Sequence, residues 1–259
     1  MGITAIDTSF NYRGFTAHAT LANVASDLLP HFVLSTKVGT FPGTGRPEHS
    51  LDPVRLRAAL EQTNRELGRV PDLVFLHNPE RSLRIPAAVA KDALGQACAT
   101  LAAAVKVGLC GAWGISSWDP RPLPDLVDTT MPRPAALMVR AGLLVGIDVL
   151  EASEALAARW RIAPDHIWGM SPFGGNADDP VWGQLDPRFF VSEEDNAVSA
   201  LQAAFRTAFL LPEVGRLAVG TNDPTHLQEL ADALRYEPDT DRLRAYRQLL
   251  QERADRQGA

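Results

Sequence analysis

Short apolar runs recur along this chain, and between them apolar residues return every three or four positions. The first run, Ile3–Thr8, predicts a strand that carries an acid, Asp7, near its end. Phe15–Leu28 follows as a helix, with Leu21, Val24, Ala25 and Leu28 on one face. Phe32–Val38 predicts a second strand, closed by Lys37, which leads into a Gly- and Pro-rich loop over Gly39–Ser50. Asp52-Pro53 reads as N-cap plus first helical residue, with Gly68 ending that helix. Leu73–Asn78 predicts a strand closed by His77, followed by a helix over Lys91–Val107 that Gly108 ends. A strand at Gly111–Ser116, a short helix after Asp119-Pro120 and a strand at Ala136–Gly142 come next. Then follow a helix (Asp148–Trp160), a strand (His166–Ser171), a long loop and a helix (Asn196–Leu211). A strand (Arg216–Thr221), a helix (Pro224–Arg235) and a tail helix (Asp239–Arg256) complete the pattern.

Strict alternation of strands and helices predicts an α/β fold, a parallel sheet wrapped by helices. A doubly wound open sheet is the rival. It usually carries a Gly-rich phosphate loop after its first strand, and Ser9–Gly14 is not one. A TIM-type barrel is therefore expected. No charge block, low-complexity tract or linker divides the chain, so residues 1–259 are read as one domain.

Composition acts mainly by exclusion. A net charge of -6 argues against nucleic acid or an anionic membrane as the main partner. The longest apolar stretch, around Ala135–Ala158, is interrupted by Arg140, Asp148, Glu151 and Glu154, so no membrane span is expected. Cys98 and Cys110 form no disulfide framework and lack metal-ligand spacing; they fit a reducing cytoplasm as core filler. No signal-peptide pattern opens the sequence. Arg55, Arg57, Arg65 and Arg69 read as the wet face of a helix.

The candidate chemistry lies at strand ends. Asp7, Lys37 and His77 close three successive strands, and Tyr12 sits in the loop after the first. In a parallel barrel those ends are neighbours and catalytic groups gather there. A carboxylate closing an apolar strand is costly to bury unless a cation meets it, and Lys37 is that cation. A phenol donates a proton at neutral pH only where a neighbouring cation stabilises the phenolate. Lys37 beside Tyr12 would do so, Asp7 would hold Lys37, and His77 would orient the substrate oxygen. Each residue also has a purely structural reading: an Asp7–Lys37 ion pair, a satisfied barrel histidine and a surface aromatic. The four together, on successive strand ends, favour the catalytic reading. His49 reads as a solvated loop histidine, and Trp118 and Trp182 as pocket wall or crevice filling.

These residues carry a resemblance. Gly-Ile-Thr-Ala-Ile-Asp-Thr-Ser-Phe-Asn-Tyr, then Ser-Thr-Lys-Val-Gly, then Asp-Leu-Val-Phe-Leu-His-Asn-Pro is similar to the aldo-keto reductase superfamily. Gly111–Trp118, Ser171–Gly175 and Val219–Leu227 resemble three later family motifs in the same order. The resemblance implies a (β/α)8 barrel and NAD(P)H-dependent reduction of a small-molecule carbonyl, with Asp7, Tyr12, Lys37 and His77 as tetrad. It also implies NADP(H) held by Ser116, Ser117, Ser171, Gly174, Gly175, Gly220, Thr221 and Asn222. The second loop opens a helix whose free N–H groups suit a phosphate, although Asn222 or Asp223 as N-cap before Pro224 explains it equally.

Several family contacts are replaced. The nicotinamide-stacking aromatic aligns with Met170, the amide-binding Gln with Met138, and the Asn of the Ser-Asn pair with Ser117. The Arg that grips a 2′-phosphate aligns with His226, and a following Asn with Leu230. The family's first strand and helix precede the segment that opens this sequence. A late start site, a gap filled by a partner chain in a homo-oligomer, and a remodelled member without cofactor remain alternatives. Two activities stay open: the reductase, and a cofactor-independent dehydratase, isomerase or cyclase that uses the same acid/base groups.

Overall fold

The computed structural model of this chain describes residues 2–177, 179–192 and 197–258. Seven strands form one sheet: β1 (Ala5–Asp7), β2 (Val33–Val38), β5 (Leu73–His77), β6 (Ala112–Ser117), β7 (Ala136–Arg140), β8 (Ile167–Met170) and β9 (Arg216–Ala218). They neighbour one another in that order. A doubly wound sheet reverses its order at a switch point; this one never does. Two further strands, β3 (Thr40–Phe41) and β4 (Glu48–His49), pair antiparallel on their own. The main helices are α1 (Ala17–Ala25), α2 (Pro53–Leu67), α3 (Ala87–Lys106), α4 (Ile147–Trp160), α5 (Ala200–Thr207), α6 (Pro224–Asp232) and α7 (Thr240–Gly258).

The chain divides into two compact units. One comprises Ile3–Met138 with Leu156–Ile162. In it β1, β2, β5 and β6 pair in parallel, with Asp7 opposite Ser35, Lys37 opposite Phe75, and His77 opposite Ser116. β2 and β5 are buried on both faces over most of their length, which is why they read as continuous apolar runs. Leu56 and Leu60 of α2 and Leu94 and Leu101 of α3 are fully buried in the helical layer of this unit. The Asp52 carboxylate caps α2 by accepting from the backbone N–H of Arg55 at 2.9 Å, with Pro53 at the first turn. Gly68 ends α2 with φ 65°, a left-handed conformation that favours a residue without Cβ. His18 of α1 is buried, bonded through Nε2 to the Thr36 hydroxyl at 2.7 Å, with Nδ1 3.6 Å from Glu66.

The other unit comprises Met1–Gly2, Val139–Ala155 and Ala163–Ala259. β8 and β9 pair in parallel, with Gly169 opposite Leu217. Leu143, Val149, Leu150, Phe190, Leu211 and Leu243 form one apolar cluster, and Val191, Ala203, Phe205, Leu230 and Tyr236 belong to a second. The Tyr246 hydroxyl of α7 donates to the Leu143 carbonyl at 2.7 Å, and Arg247 forks onto Glu154.

Three expected elements differ. The Gly39–Ser50 loop contains the β3–β4 hairpin, whose strands flank a turn rich in Gly and Pro. After Asp119-Pro120 there are turns, not a helix, because Pro122 and Pro124 cannot donate the backbone bonds a helix needs. The helix expected over Asn196–Leu211 is α5, which starts after Ser199 with a reciprocal Ser199–Gln202 capping box. Asn196 lies outside the described residues. Cys98 and Cys110 are buried and free, their thiols pushed up by burial to about 12 and about 11, so neither is a thiolate at neutral pH. Among the described residues no helix is long and apolar enough to cross a membrane.

Candidate active site

The parallel register of β1, β2 and β5 brings the C-terminal strand ends together. Asp7 closes β1 and meets two donors: the Ser35 hydroxyl at 2.7 Å on Oδ1 and the Lys37 ammonium on Oδ2. Lys37 is 2% exposed and donates a further bond to the Thr8 carbonyl at 3.0 Å. A buried ammonium is tolerable because its partners are fixed and close. Its Nζ lies 5.4 Å from the centroid of the Tyr12 ring. Tyr12 is 44% exposed, and its hydroxyl makes no hydrogen bond to a described residue. The loop that presents it runs through Arg13, Gly14 and Phe15 at φ 50°, 62° and 69°. Successive left-handed residues, two of them with side chains, are strained backbone of the kind that collects at functional sites.

His77 closes β5. Its Nδ1 lies 3.3 Å from the Ser9 hydroxyl. Burial, then the positive charge of Lys37, His49 and Arg81, pushes the imidazole pKa down to about 3, so the ring is neutral at ordinary pH. Its backbone carbonyl accepts from Nε2 of His49 at 2.6 Å. Since that nitrogen carries the proton, His49 Nδ1 accepts from the Ser82 hydroxyl at 2.7 Å. Gly39, at φ 137°, passes so close that a Cβ there would stand 3.0 Å from the His77 carbonyl oxygen. The solvated loop histidine expected at position 49 is thus a half-buried strut beneath the end of β5.

A second support holds the end of β6. Glu80 is buried and accepts from the Ser117 hydroxyl at 2.9 Å and from the backbone N–H groups of Trp118 and Asp119 at 2.9 and 3.1 Å. Burial raises its pKa, and those bonds oppose the rise. Asn78, in the left-handed region at φ 49°, accepts from the N–H of Trp118 at 3.0 Å as well. Ser117 therefore has its hydroxyl turned to Glu80. The neighbouring Ser116 hydroxyl is fully buried and has no hydrogen-bond partner among the described residues. Glu80 went unnoticed in the sequence; an acid two residues beyond a strand-ending His-Asn pair is the signal it offered.

A model of the aldo/keto reductase family matches residues 1–156, more than half of the chain, including Asp7, Tyr12, Lys37 and His77. The chain belongs to the aldo/keto reductase family. It is an aldo-keto reductase-like oxidoreductase. Among solved structures it is similar to the holo form of an aldo-keto reductase from Bacillus halodurans, with TM-score 0.74 and 17% identity over 96% of this chain and 83% of that one. A Klebsiella pneumoniae aldo-keto reductase solved with NADPH gives TM-score 0.67 and 17% identity over 96% and 80% of the two chains. A putative aldo-keto reductase from Pseudomonas aeruginosa gives TM-score 0.62 and 22% identity over 90% and 80%. No curated protein matches. The fold is thereby the α/β (β/α)8 barrel type of the aldo-keto reductases.

The remaining candidate residues of this aldo-keto reductase lie in the unit that holds β8 and β9. Ser171, Gly174 and Gly175 form a left-handed turn at φ 58°, 71° and 107°, closed by the Gly174 N–H on the Ser171 carbonyl at 2.9 Å. Gly220 has nothing within 4 Å of where a Cβ would stand, and Asn222 is exposed. The Thr221 hydroxyl accepts from the N–H of Asp223 at 3.1 Å. Asp223, not Asn222, caps α6, accepting from the N–H and the hydroxyl of Thr225, both at 2.8 Å. Those bonds, together with His226, hold its carboxyl below the usual range. The N-terminus of α6 therefore already carries a negative charge.

Proposed function

We propose that this chain reduces a carbonyl of a small molecule with a nicotinamide dinucleotide, Tyr12 acting as general acid. One observation carries the reading. The Lys37 ammonium is buried between the Asp7 carboxylate and the Tyr12 ring, while the Tyr12 hydroxyl is left without a partner among the described residues. A structural ion pair has no need of a phenol at its open side.

The Tyr12 hydroxyl would donate its proton to the carbonyl oxygen, and Lys37 would stabilise the phenolate that forms. Asp7 holds Lys37 in place, and Ser35 holds Asp7 in place. His77, neutral, would bind the substrate beside the reacting oxygen. Bound dinucleotide would supply the hydride. The buried Ser116 hydroxyl, without a partner among the described residues, is the group that would take its carboxamide. A 2′-phosphate at α6 does not fit, because Asp223 occupies the position an anion would use.

The replaced cofactor contacts at Met138, Met170, Ser117 and His226 favour a second reading, in which Tyr12, Lys37 and His77 perform dehydration, isomerisation or cyclisation without cofactor. Turnover of an aldehyde and ketone panel, followed by nicotinamide absorbance with NADPH and with NADH, tests the first reading. Cofactor oxidation that Tyr12→Phe abolishes supports it. Substrate conversion in cofactor-free buffer would replace it with the second.

A further inference from the structure

We propose that the Arg81 guanidinium binds a carboxylate on the substrate and so selects a short-chain aldehyde or ketone that carries one. That the substrate is a carbonyl compound rests on the reductase reading above; that Arg81 binds a carboxylate does not.

Arg81 follows the strand end that carries His77. The chain leaves β5 through Pro79–Ser82, a tight helical turn in which the Arg81 N–H donates to the Asn78 carbonyl at 3.1 Å. The next residue, Ser82, is bonded to His49 at 2.7 Å, and His49 to the His77 carbonyl at 2.6 Å. The backbone of Arg81 is therefore fixed to the same strand end as the imidazole. Its side chain is exposed, and near enough for its charge to act on both His77 and His49.

Carboxylates of the surrounding segments have partners of their own. Asp7 meets Lys37 and Ser35. Glu80, adjacent to Arg81 in sequence, accepts instead from the Ser117 hydroxyl and the N–H groups of Trp118 and Asp119. Asp119 is bonded by Arg121 at 2.7 and 2.8 Å, and Glu48 of the hairpin lies 3.3 Å from Arg55. The Arg81 side chain makes no hydrogen bond or ion pair to a described residue. In a chain of net charge -6 this leaves an uncompensated cation beside the half-buried His77. That cation repels the protonated imidazole and gains no partner in return. An anionic group on the substrate supplies the partner.

The guanidinium determines which anion. Its planar fork of N–H donors matches the two oxygens of a carboxylate. One guanidinium balances the single charge of a carboxylate, whereas a phosphate monoester carries close to two. The guanidinium makes no bond to the imidazole, so the carboxylate stands a few carbons away from the reacting carbonyl, as in 4-oxobutanoate.

Calorimetric titration of the protein without cofactor reads carboxylate binding apart from turnover. The probes are succinate, its uncharged diamide succinamide, and methyl phosphate. Succinate should bind about ten- to a hundredfold more tightly than succinamide. Arg81→Gln should remove that difference, and Arg81→Lys, which keeps the charge, should restore part of it. Arg65→Gln makes the same charge change on the exposed last turn of α2 and should leave the difference intact. Equal binding of succinate and succinamide by the wild type overturns the proposal. So does a preference that survives Arg81→Gln or is lost equally in Arg65→Gln, and so does tighter binding of methyl phosphate. With NADH present, kcat/KM for 4-oxobutanoate should exceed that for butanal by a similar factor, and Arg81→Gln should abolish the excess through KM. Arg81-dependent succinate binding without turnover of either aldehyde would mark failure of the reductase reading alone.

Discussion

The backbone carbonyl of His77 receives the Nε2 proton of His49 at 2.6 Å, a bond from the β3–β4 hairpin to the end of a sheet strand. His49→Phe keeps the bulk and leaves that carbonyl unsatisfied, together with the Ser82 hydroxyl. Loss of about 1–3 kcal/mol in urea unfolding is expected. Turnover should also fall, because the strand end that carries the imidazole is released. Unchanged stability would mean that water replaces the histidine without cost.

Tyr12→Phe removes one hydroxyl that no described residue bonds. Unfolding midpoint and ligand affinity should stay close to wild type, while kcat falls about 10²- to 10⁴-fold, the usual contribution of a general acid. Steady-state kinetics beside thermal melting checks both halves. Wild-type turnover in this variant would remove Tyr12 from the role.

Lys37→Met leaves Asp7 as a half-buried carboxylate with the Ser35 hydroxyl as its remaining side-chain donor. A stability loss of about 3 kcal/mol is expected, since breaking one side of a buried pair strands the other charge. The double variant Asp7→Asn with Lys37→Met should recover part of it. A single variant that melts with the wild type would show that Asp7 is solvated.

Three histidines make folding sensitive to mild acid. Burial lowers the pKa of His18 and His49 from 6.5, and burial with neighbouring cations takes His77 from 6.5 to about 3. Between the folded and unfolded values the unfolded chain binds more protons, so stability rises with pH. The contribution of His77 is fully present above 6.5 and is lost progressively as pH falls toward about 3. Melting temperature across that window should drop less steeply in His77→Gln than in wild type. Parallel curves would show that His77 titrates freely in the folded protein.

Asp223 sets the expectation for cofactor choice. Its carboxylate, bonded to Thr225, stands where the N-terminus of α6 would receive a phosphate. Fluorescence titration should show weak NADPH binding with little preference over NADH. A missing charge-assisted contact to the 2′-phosphate costs about 1.5–3 kcal/mol. Asp223→Asn, which keeps the cap and removes the charge, should raise NADPH affinity more than NADH affinity. Tight, selective NADPH binding by the wild type would overturn this reading.

Much of the fold was legible in the chain because it rests on short-range rules. Asp52-Pro53 and Gly68 bracket α2 through caps that need only neighbouring residues. Asp7, Lys37 and His77 could be placed at strand ends because an apolar run followed by a polar residue marks where a buried strand meets the surface. Parallel alternation then made those ends neighbours. The hairpin at Thr40–His49, expected as a loop, and the turns after Pro120, expected as a short helix, departed from that reading, although their Gly-rich turn and Pro122 and Pro124 are local signals.

Hydrogen-bond partners distant in sequence were decided by the tertiary structure. Whether His49 faces solvent or the His77 carbonyl depends on how the hairpin lies against β5, across 28 positions of chain. Glu80 and Ser117 meet across 37 positions, and the adjacent Ser116 hydroxyl has no partner among the described residues. Residue types fix which groups can donate or accept. Only packing fixes which of them meet where water cannot reach, and there an unmet group is costly enough to decide what the site does.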